Sequence, residues 1–254
     1  MKHWIQAFRL RTLPLALANV LLGSFLAAEI GEFRWSVALL AGLTITLLQI
    51  LSNLANDYGD SIHGADGDAR KGPSRTVQSG LISSADMRRA MIGFGAASFA
   101  SGISLLWISL GIEQLPVFLG FLVLGLLAIW AAIAYTATDR PYGYSGLGDV
   151  SVLVFFGFVG VLGTLYLHAG AVGWIFVLPA LSCGFFSVAV LNVNNIRDIE
   201  SDINAGKQSI PVRLGRRNAV LYHWSLLSLG VLSAVAYSLI QGGEWWQWLF
   251  LAIL

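Results

Sequence analysis

The chain carries two acidic stretches, Asn53-Leu-Ala-Asn-Asp-Tyr-Gly-Asp60 and Asn194-Asn-Ile-Arg-Asp-Ile-Glu-Ser-Asp202, each at the end of a long apolar run. The whole sequence is 56% hydrophobic and only 11% charged, with a mean hydropathy of +0.72. This composition is far from that of soluble domains and predicts an integral membrane protein. Because carboxylates are costly at the edge of hydrocarbon, two such stretches indicate a functional site.

Hydropathy predicts transmembrane helices of roughly 20 residues, the length that crosses a hydrocarbon core of ~30 Å. The predicted spans are residues 13–30, 36–56, 90–111, 115–136, 149–168, 172–195 and 219–240. An eighth apolar run begins at Trp245 and is cut off at Leu254. We therefore expect an all-α transmembrane bundle, a single domain over residues 1–254 that lacks its C-terminal end.

Basic residues are sorted to one side of the predicted bundle. Every Lys and Arg except Arg34 falls in one alternate set of segments, namely the N-terminus and the loops 57–89, 137–148 and 196–218. Since cytoplasmic loops are enriched in basic residues, these segments and the N-terminus are predicted to be cytoplasmic. Both acidic stretches then face the cytoplasm. The net charge of +1 gives no sign of nucleic-acid binding.

The two acidic stretches share a helical spacing. In the first, the spacing i, i+3, i+4 and i+7 places four side chains on one helix face. These side chains are Asn53, Asn56, Asp57 and Asp60. The second stretch repeats i, i+3 and i+7 with Asn195, Asp198 and Asp202. Hard oxygen ligands of this kind suit Mg²⁺, which commonly bridges carboxylates and phosphate oxygens.

Basic residues follow each acidic stretch. Arg70, Lys71 and Arg75 come after the first, and Lys207 and Arg213 come after the second. A metal ion and basic side chains around a diphosphate stabilise the negative charge that develops when a carbon–oxygen bond breaks. The alternative is that the acids and amides only cap helices, as Asn and Asp often do. Two stretches at matched spacing on one side favour the metal site.

Further motifs join the acidic stretches in a characteristic order. They are Phe8-Arg-Leu-Arg-Thr-Leu-Pro14, Gly72-Pro-Ser-Arg-Thr-Val-Gln-Ser-Gly80, Tyr135-Thr136, Arg140-Pro-Tyr-Gly-Tyr-Ser-Gly-Leu-Gly-Asp149 and Gly206-Lys207. Together they resemble the UbiA superfamily of intramembrane aromatic prenyltransferases, and within it the 1,4-dihydroxy-2-naphthoate polyprenyltransferases of menaquinone biosynthesis. The resemblance covers essentially the whole chain.

The resemblance implies a bundle of nine transmembrane helices that opens laterally to membrane lipid, with seven complete helices and part of an eighth present here. It implies that both acidic stretches hold Mg²⁺ and the diphosphate of a polyprenyl donor, on the cytoplasmic side of the plasma (cell inner) membrane. The implied catalytic acids and metal ligands are Asp57, Asp60, Asp198 and Asp202. The implied substrate contacts are Asn53, Asn56, Lys71, Arg75, Arg140, Asn195 and Lys207. Tyr135 is expected near the reacting carbon, where its π-face stabilises an allylic cation.

The implied reaction is Mg²⁺-dependent transfer of the polyprenyl group to 1,4-dihydroxy-2-naphthoate, with decarboxylation to demethylmenaquinone. Asp60 and Asp149 are both candidates for deprotonating the ring hydroxyl. Two alternatives stay open: a different aromatic acceptor such as 4-hydroxybenzoate, and, from another class, an ion-coupled membrane transporter. Transporters tend to place acids near the bilayer midplane, whereas both acidic stretches lie at helix ends.

The chain departs from the family pattern at two positions. The commoner first motif ends in an Asp where this chain has Gly64, with Asp66 and Asp68 just beyond it. The naphthoate branch is expected to carry a basic residue before Arg140, where this chain has Asp139. The sequence therefore leaves open which acid completes the first motif and how the carboxylate of the acceptor is held.

Overall fold

A computed structural model describes residues 2–63, 75–242, 245, 248 and 249. Every regular element in this part of the chain is helical. The helices are α1 (Lys2–Phe8), α2 (Leu13–Glu29), α3 (Trp35–Ile62), α4 (Ser84–Leu110), α5 (Leu115–Ala134), α6 (Gly148–Val152), α7 (Thr164–Ala169), α8 (Val177–Arg197), α9 (Ile199–Asn204) and α10 (Ile210–Gln241). A π-helical stretch, Leu153–Gly163, joins α6 to α7.

Seven segments of the described chain are long and apolar enough to cross a membrane, which confirms the predicted class of all-α membrane protein. Each of the seven overlaps one predicted span. Three helices are longer than predicted: α3 continues to Ile62, α4 already begins at Ser84, and α10 begins at Ile210 and bends at Gly215, where φ is 72°. The predicted eighth run lies almost wholly outside the described residues.

The chain turns between α1 and α2. Arg9 adopts a left-handed backbone conformation with φ of 49°, and the short 3₁₀ turn Leu10–Thr12 leads into α2. The Thr12 hydroxyl donates a hydrogen bond to the carbonyl of Arg9. Pro14 lies in the first turn of α2. Backbone N–H groups there have no partner within the helix, so the N–H that proline lacks costs no helical hydrogen bond. The turn places the polar residues Arg9, Arg11 and Thr12 along the cavity lining.

Small residues allow α2 and α8 to approach the π-helical stretch closely. A Cβ at Gly23 would lie 2.5 Å from the carbonyl oxygen of Val161, and a Cβ at Gly157 would lie 2.8 Å from that of Ala180. Backbones come this close in membrane bundles where small residues occupy the crossing point. The crossing residues therefore fix the position of the π-helical stretch against α2 and α8.

The remaining packing leaves a long cavity inside the bundle. Helix α3 packs against α2, α4 and α5, while α8 packs against α10 and the π-helical stretch. Buried Leu51 and Leu54 of α3 contact Met87 and Met91 of α4. Side chains of α3, α8 and α9 line the cavity, and at one end of it Lys207 contacts Asp60 of α3 and Asp202 of α9.

The glycine crossing gives a first prediction. Gly23→Ala should reduce the free energy of unfolding by about 1–3 kcal/mol, because the added methyl group overlaps Val161 and Thr164. Thermal unfolding in detergent measures this loss. Gly42→Ala is the matched control, since its Cβ would meet nothing closer than the Leu17 side chain at 3.9 Å. Equal melting temperatures for the two variants would contradict the assigned crossing.

Candidate functional site

One face of α3 forms a wall of a cavity of about 1000 Å³. Its lining residues on this helix are Ala41, Thr44, Ile45, Leu48, Gln49, Ser52, Asn53, Asn56, Asp57 and Asp60. At a rise of 1.5 Å per residue, this wall is roughly 28 Å long, about the thickness of a hydrocarbon core. The wall is mainly apolar toward Ala41 and polar toward Asp60. The cavity therefore joins a polar end to a long, mainly apolar body.

Asp60 is the centre of the polar end. Its side chain is buried and forms an ion pair with the Arg75 guanidinium. Its Oδ1 accepts hydrogen bonds from the Lys207 ammonium at 3.0 Å and from the Tyr144 hydroxyl at 3.1 Å. Three segments that are distant in sequence therefore meet at one carboxylate.

Lys207 connects the two acidic stretches. Its ammonium lies 3.0 Å from Oδ1 of Asp60 and 3.6 Å from Oδ1 of Asp202, and it also lies over the Tyr144 ring at 4.6 Å. Asp60 is on α3 and Asp202 is on α9. The first and second acidic stretches thus lie on opposite sides of one ammonium group.

Burial raises the pKa of the Asp202 carboxyl above its ordinary value. The Lys207 ammonium opposes this shift, whereas the nearby carboxylates of Asp198 and Asp60 add to it. Removing a charge from water disfavours the charged form, and neighbouring charges of the same sign do so as well. The ionised form of Asp202 is therefore held at a cost in folding free energy.

The second acidic stretch runs through a break between α8 and α9. Helix α8 ends at Arg197, and Asp198 leaves the helical conformation with φ of −96° and ψ of 11°. Nε and Nη2 of Arg197 donate to the two carboxylate oxygens of Asp198 at 2.8 and 2.6 Å. Asn195 lines the cavity beside this pair. The Asp198 carboxylate thus faces the cavity with a guanidinium already bound to it.

Asp57 was predicted to bind a metal, but its carboxylate holds a loop in the structure. Its Oδ2 accepts from the backbone N–H of Thr76 at 3.1 Å and from the Thr76 hydroxyl at 2.9 Å, and its Oδ1 accepts from the N–H of Val77 at 3.1 Å. These three hydrogen bonds hold the loop at residues 75–77 so that Arg75 lies next to Asp60. Asp57 also lines the cavity, so its role as a metal ligand stays a prediction beside its observed position as a loop anchor.

Both predicted amides of the first stretch are held by neighbouring elements. The Asn53 amide donates to the carbonyl of Phe8 and to the Thr12 hydroxyl, each at 2.9 Å, which ties α3 to the turn before α2. Oδ1 of Asn56 accepts from the Thr136 hydroxyl at 2.9 Å, just after α5. Both residues also line the cavity, so they position its walls and remain within reach of a ligand.

The loop after α5 places its tyrosines and Arg140 differently. The N–H of Gly143 donates to the carbonyl of Tyr135, which folds the loop back onto the end of α5. Tyr135, Tyr142 and Tyr144 consequently line the cavity, whereas Arg140 is exposed and lies outside it. The structure thus brings the predicted Tyr135 to the site and does not bring Arg140 there.

Three further positions complete the comparison with the sequence predictions. Asp149, a candidate base, is buried and accepts a hydrogen bond from the Tyr222 hydroxyl at 2.8 Å, so it joins α6 to α10 and does not line the cavity. Lys71 lies outside the described residues, as do Gly64, Asp66 and Asp68. Asp60 is therefore the candidate base that faces the cavity.

The polar end has the donor atoms that Mg²⁺ prefers. Carboxylates of Asp60, Asp198 and Asp202 and side-chain amides of Asn56 and Asn195 all line it. Within the described residues, no three His, Cys, Asp or Glu side chains are yet close enough together to hold a metal. The residues fit a magnesium ion by chemistry, and the acids must exchange their present basic partners to bind it.

Sequence reasoning missed three residues of this site. Arg197, Tyr144 and Thr76 each stand within a quoted motif, but none of them was assigned a role of its own. Tyr144 and Thr76 gain their roles from hydrogen bonds to Asp60 and Asp57, which lie in another segment. Arg197 lines the cavity and pairs with Asp198, the next residue in the chain. That adjacency within the second stretch was the available signal.

Taken together, the fold and the site define a membrane-embedded enzyme class in which an acid- and base-lined pocket opens into an apolar cavity, as a lipid-linked anion requires. The chain belongs to the UbiA prenyltransferase family, whose model matches residues 16–254. It is therefore a prenyltransferase, and the resemblance stated from the sequence is confirmed.

Three relatives show how close the similarity is. The 1,4-dihydroxy-2-naphthoate octaprenyltransferase of Escherichia coli (strain K12) is 48% identical over 248 residues, covering 98% of this chain and 80% of the relative. The enzyme of the same name from Haemophilus influenzae is 46% identical over 252 residues, covering 98% and 81%. That of Mycobacterium leprae is 40% identical over 234 residues, covering 92% and 76%. No solved structure gives a significant match.

The loop anchor gives a second prediction. Asp57→Asn should speed amide hydrogen exchange at Thr76 and Val77 by at least about tenfold, because hydrogen bonds to a charged acceptor contribute roughly 1.5–3 kcal/mol. Hydrogen–deuterium exchange of the detergent-solubilised protein measures this. Asp86→Asn, at an exposed helix start, is the control and should leave this loop unchanged. Unaltered exchange in Asp57→Asn would remove its role as anchor.

The raised pKa of Asp202 gives a third prediction. Since the folded state binds this proton more tightly than the unfolded state, stability is lost as pH rises from the ordinary carboxyl pKa through the raised one. Asp202→Asn should therefore raise the melting temperature at pH 7.5 without metal, and the gain should shrink toward pH 4. Glu200→Gln, exposed on the same helix, should show neither effect. A lower melting temperature for Asp202→Asn at pH 7.5 would refute this.

Proposed function

We propose that this protein transfers a polyprenyl group from polyprenyl diphosphate to 1,4-dihydroxy-2-naphthoate, in a Mg²⁺-dependent reaction that releases CO₂ and gives the quinol form of demethylmenaquinone, which a separate two-electron oxidation converts to demethylmenaquinone. The observation that carries the proposal is the meeting of Asp60 and Asp202 at one ammonium, at the polar end of a long, mainly apolar cavity. Relatives of this name at 48% and 46% identity support the choice of acceptor.

The diphosphate is proposed to bind at the polar end of the cavity. Asp60, Asp198 and Asp202 would hold Mg²⁺, which when bound neutralises charge on the diphosphate leaving group. Arg75, Arg197 and Lys207 now neutralise these same acids. Guanidinium groups can fork onto phosphate oxygens, so these side chains are placed to bind the diphosphate once the acids turn to the metal.

The apolar body of the cavity is proposed to hold the polyprenyl tail. Burial of each CH₂ group of the tail is favourable by ~0.8 kcal/mol, which favours its binding in a dry channel along α3. The allylic C–O bond then lies at the junction of the polar and apolar parts. Bond cleavage leaves the electron pair on the diphosphate oxygen and a cation on the allylic carbon.

Tyr135 and Asp60 are proposed to assist at this junction. Tyr135 lines the cavity where its π-face can stabilise the allylic cation. The ring carbon of the naphthoate attacks the cation, and loss of CO₂ returns the electron pair of the broken C–C bond to the ring. Asp60 is the cavity-lining acid proposed to take up the ring hydroxyl proton.

The carboxylate of the acceptor requires a basic contact of its own. Arg140, expected for this task, is exposed outside the cavity. Arg9 instead lines the cavity beside Thr12 and Gln49, next to Asn53 of the first acidic stretch. Its left-handed backbone conformation holds the chain at this turn, and residues kept in sparsely populated conformations often serve binding sites. We therefore assign the acceptor carboxylate to Arg9.

The sorting of Lys and Arg residues supports a cytoplasmic N-terminus and a site on the cytoplasmic side of the plasma (cell inner) membrane. Both acidic stretches end transmembrane helices on the same side as these basic loops. This position argues against an ion-coupled transporter, whose acids lie near the midplane. Single domain organisation over residues 1–254 is part of the same proposal.

The test is a reconstituted assay, which gives the fourth prediction. Proteoliposomes with Mg²⁺ and polyprenyl diphosphate should convert 1,4-dihydroxy-2-naphthoate to the quinol form of demethylmenaquinone, detected as the quinone after oxidation by air, with EDTA stopping turnover. Asp198→Asn and Asp60→Asn should lower kcat by roughly 10²–10³-fold, because stabilisation of leaving-group charge is lost. Asp86→Asn is the control and should keep full activity.

The acceptor is tested in the same assay with 4-hydroxybenzoate. The proposal expects prenylation of the naphthoate and no significant product from the benzoate. Arg9→Gln should raise KM for the naphthoate while leaving KM for the prenyl donor unchanged. Preferred turnover of 4-hydroxybenzoate, or full activity in EDTA, would overturn the proposed reaction.

A further inference from the structure

We propose that Lys207 is a resident counter-ion of the metal site, so that binding of Mg²⁺ requires the ammonium to leave the two carboxylates that it bridges. This inference deepens the proposed function and rests on it. It concerns how the site is held in the absence of metal and what opposes metal entry.

The surroundings of the Lys207 ammonium are those of a cation site. Carboxylate oxygens of Asp60 and Asp202 lie 3.0 and 3.6 Å from Nζ, and the face of the Tyr144 ring lies 4.6 Å away. The Lys207 side chain is only 17% exposed. Two anions and a π-face thus surround one positive charge in a pocket largely shielded from water, where electrostatic attraction is strong.

An ammonium and Mg²⁺ cannot occupy this place together. Mg²⁺ binds oxygen at ~2.0–2.1 Å with near-octahedral geometry, whereas an ammonium holds carboxylates at about 3 Å. Like charges at such spacing also repel. In the described part of the chain the acids lie too far apart to hold a metal. A spacing of this kind is expected when an ammonium lies between them. Metal entry is therefore an exchange of cations.

The backbone near Lys207 is fixed while its side chain remains able to move. The N–H of Lys207 donates to the carbonyl of Asp202, and the N–H of Gln208 donates to that of Tyr144. Gly206, the residue just before Lys207, takes a left-handed conformation with φ of 71°. A four-carbon stem on this anchored turn lets the ammonium swing from the acids to an arriving phosphate oxygen.

Lys207 therefore stabilises the metal-free protein and lowers its affinity for the metal. Without metal it offsets the repulsion between the carboxylates of Asp60 and Asp202. When metal arrives in the absence of diphosphate, the same ammonium competes for those carboxylates. A diphosphate removes the conflict, because it offers the displaced ammonium a new anion. We infer that this makes metal binding tighter with the diphosphate than without it.

The experiment measures Mn²⁺ binding to the full chain in detergent without substrate, by electron paramagnetic resonance of the free ion. Lys207→Met, which keeps an apolar stem and removes the charge, should bind Mn²⁺ at least roughly tenfold more tightly than the wild type. Its melting temperature in EDTA should be lower than that of the wild type. Lys207→Arg, which keeps the charge, should retain weak Mn²⁺ binding and a stable metal-free protein.

Arg213→Gln is the matched control. Arg213 is exposed and donates hydrogen bonds to the backbone carbonyls of Gln208 and Ser145, so its loss should leave the Mn²⁺ affinity unchanged. Equal or weaker Mn²⁺ binding in Lys207→Met overturns the inference while leaving the proposed function intact. Absence of Mn²⁺ binding in both wild type and Lys207→Met, with activity persisting in EDTA, overturns the inference and the metal dependence together.

Discussion

An ammonium held between two buried carboxylates is the interaction on which the rest of the site depends. Taking Asp60 and Asp202 out of water is costly, and Lys207 offsets part of that cost by contacting both. Arg75 and Arg197 do the same for Asp60 and for Asp198. Asp60, Asp198 and Asp202 thus each have a basic partner, which in the proposed reaction the diphosphate would draw away.

The scaffold serves to place these charges at the end of an apolar cavity. One face of α3 runs from the mainly apolar part of the cavity to Asp60 without interruption, so a long ligand can lie along a single helix. Gly59 has no room for a Cβ next to the backbone of Thr136, which brings α5 and its following tyrosines against that face. Helix, glycine contact and tyrosine loop together shape the polar end, where the proposed diphosphate and acceptor would meet.

The sequence predicted the helices and the face of α3 well, because apolar length and a repeat of three and four residues depend on local spacing alone. It could not show that Asp57 would be used by the loop at Thr76, since that contact joins segments 19 residues apart. It also could not decide whether Arg140 or Tyr144 faces the cavity, because the fold of that loop depends on a bond from Gly143 to Tyr135. Local spacing therefore predicts the helices and the face of α3, whereas the positions of Asp57, Arg140 and Tyr144 depend on tertiary contacts that the sequence does not show.

The most direct test of the account asks whether the two acidic stretches form one site. Mn²⁺ affinity in the presence of a non-reactive prenyl thiodiphosphate would be measured for the wild type, Asp60→Asn, Asp202→Asn and the double variant. A shared site predicts that either single change loses nearly as much affinity as both together, since residues acting as a unit are strongly non-additive. Losses that simply add would mean two independent sites and would contradict the account.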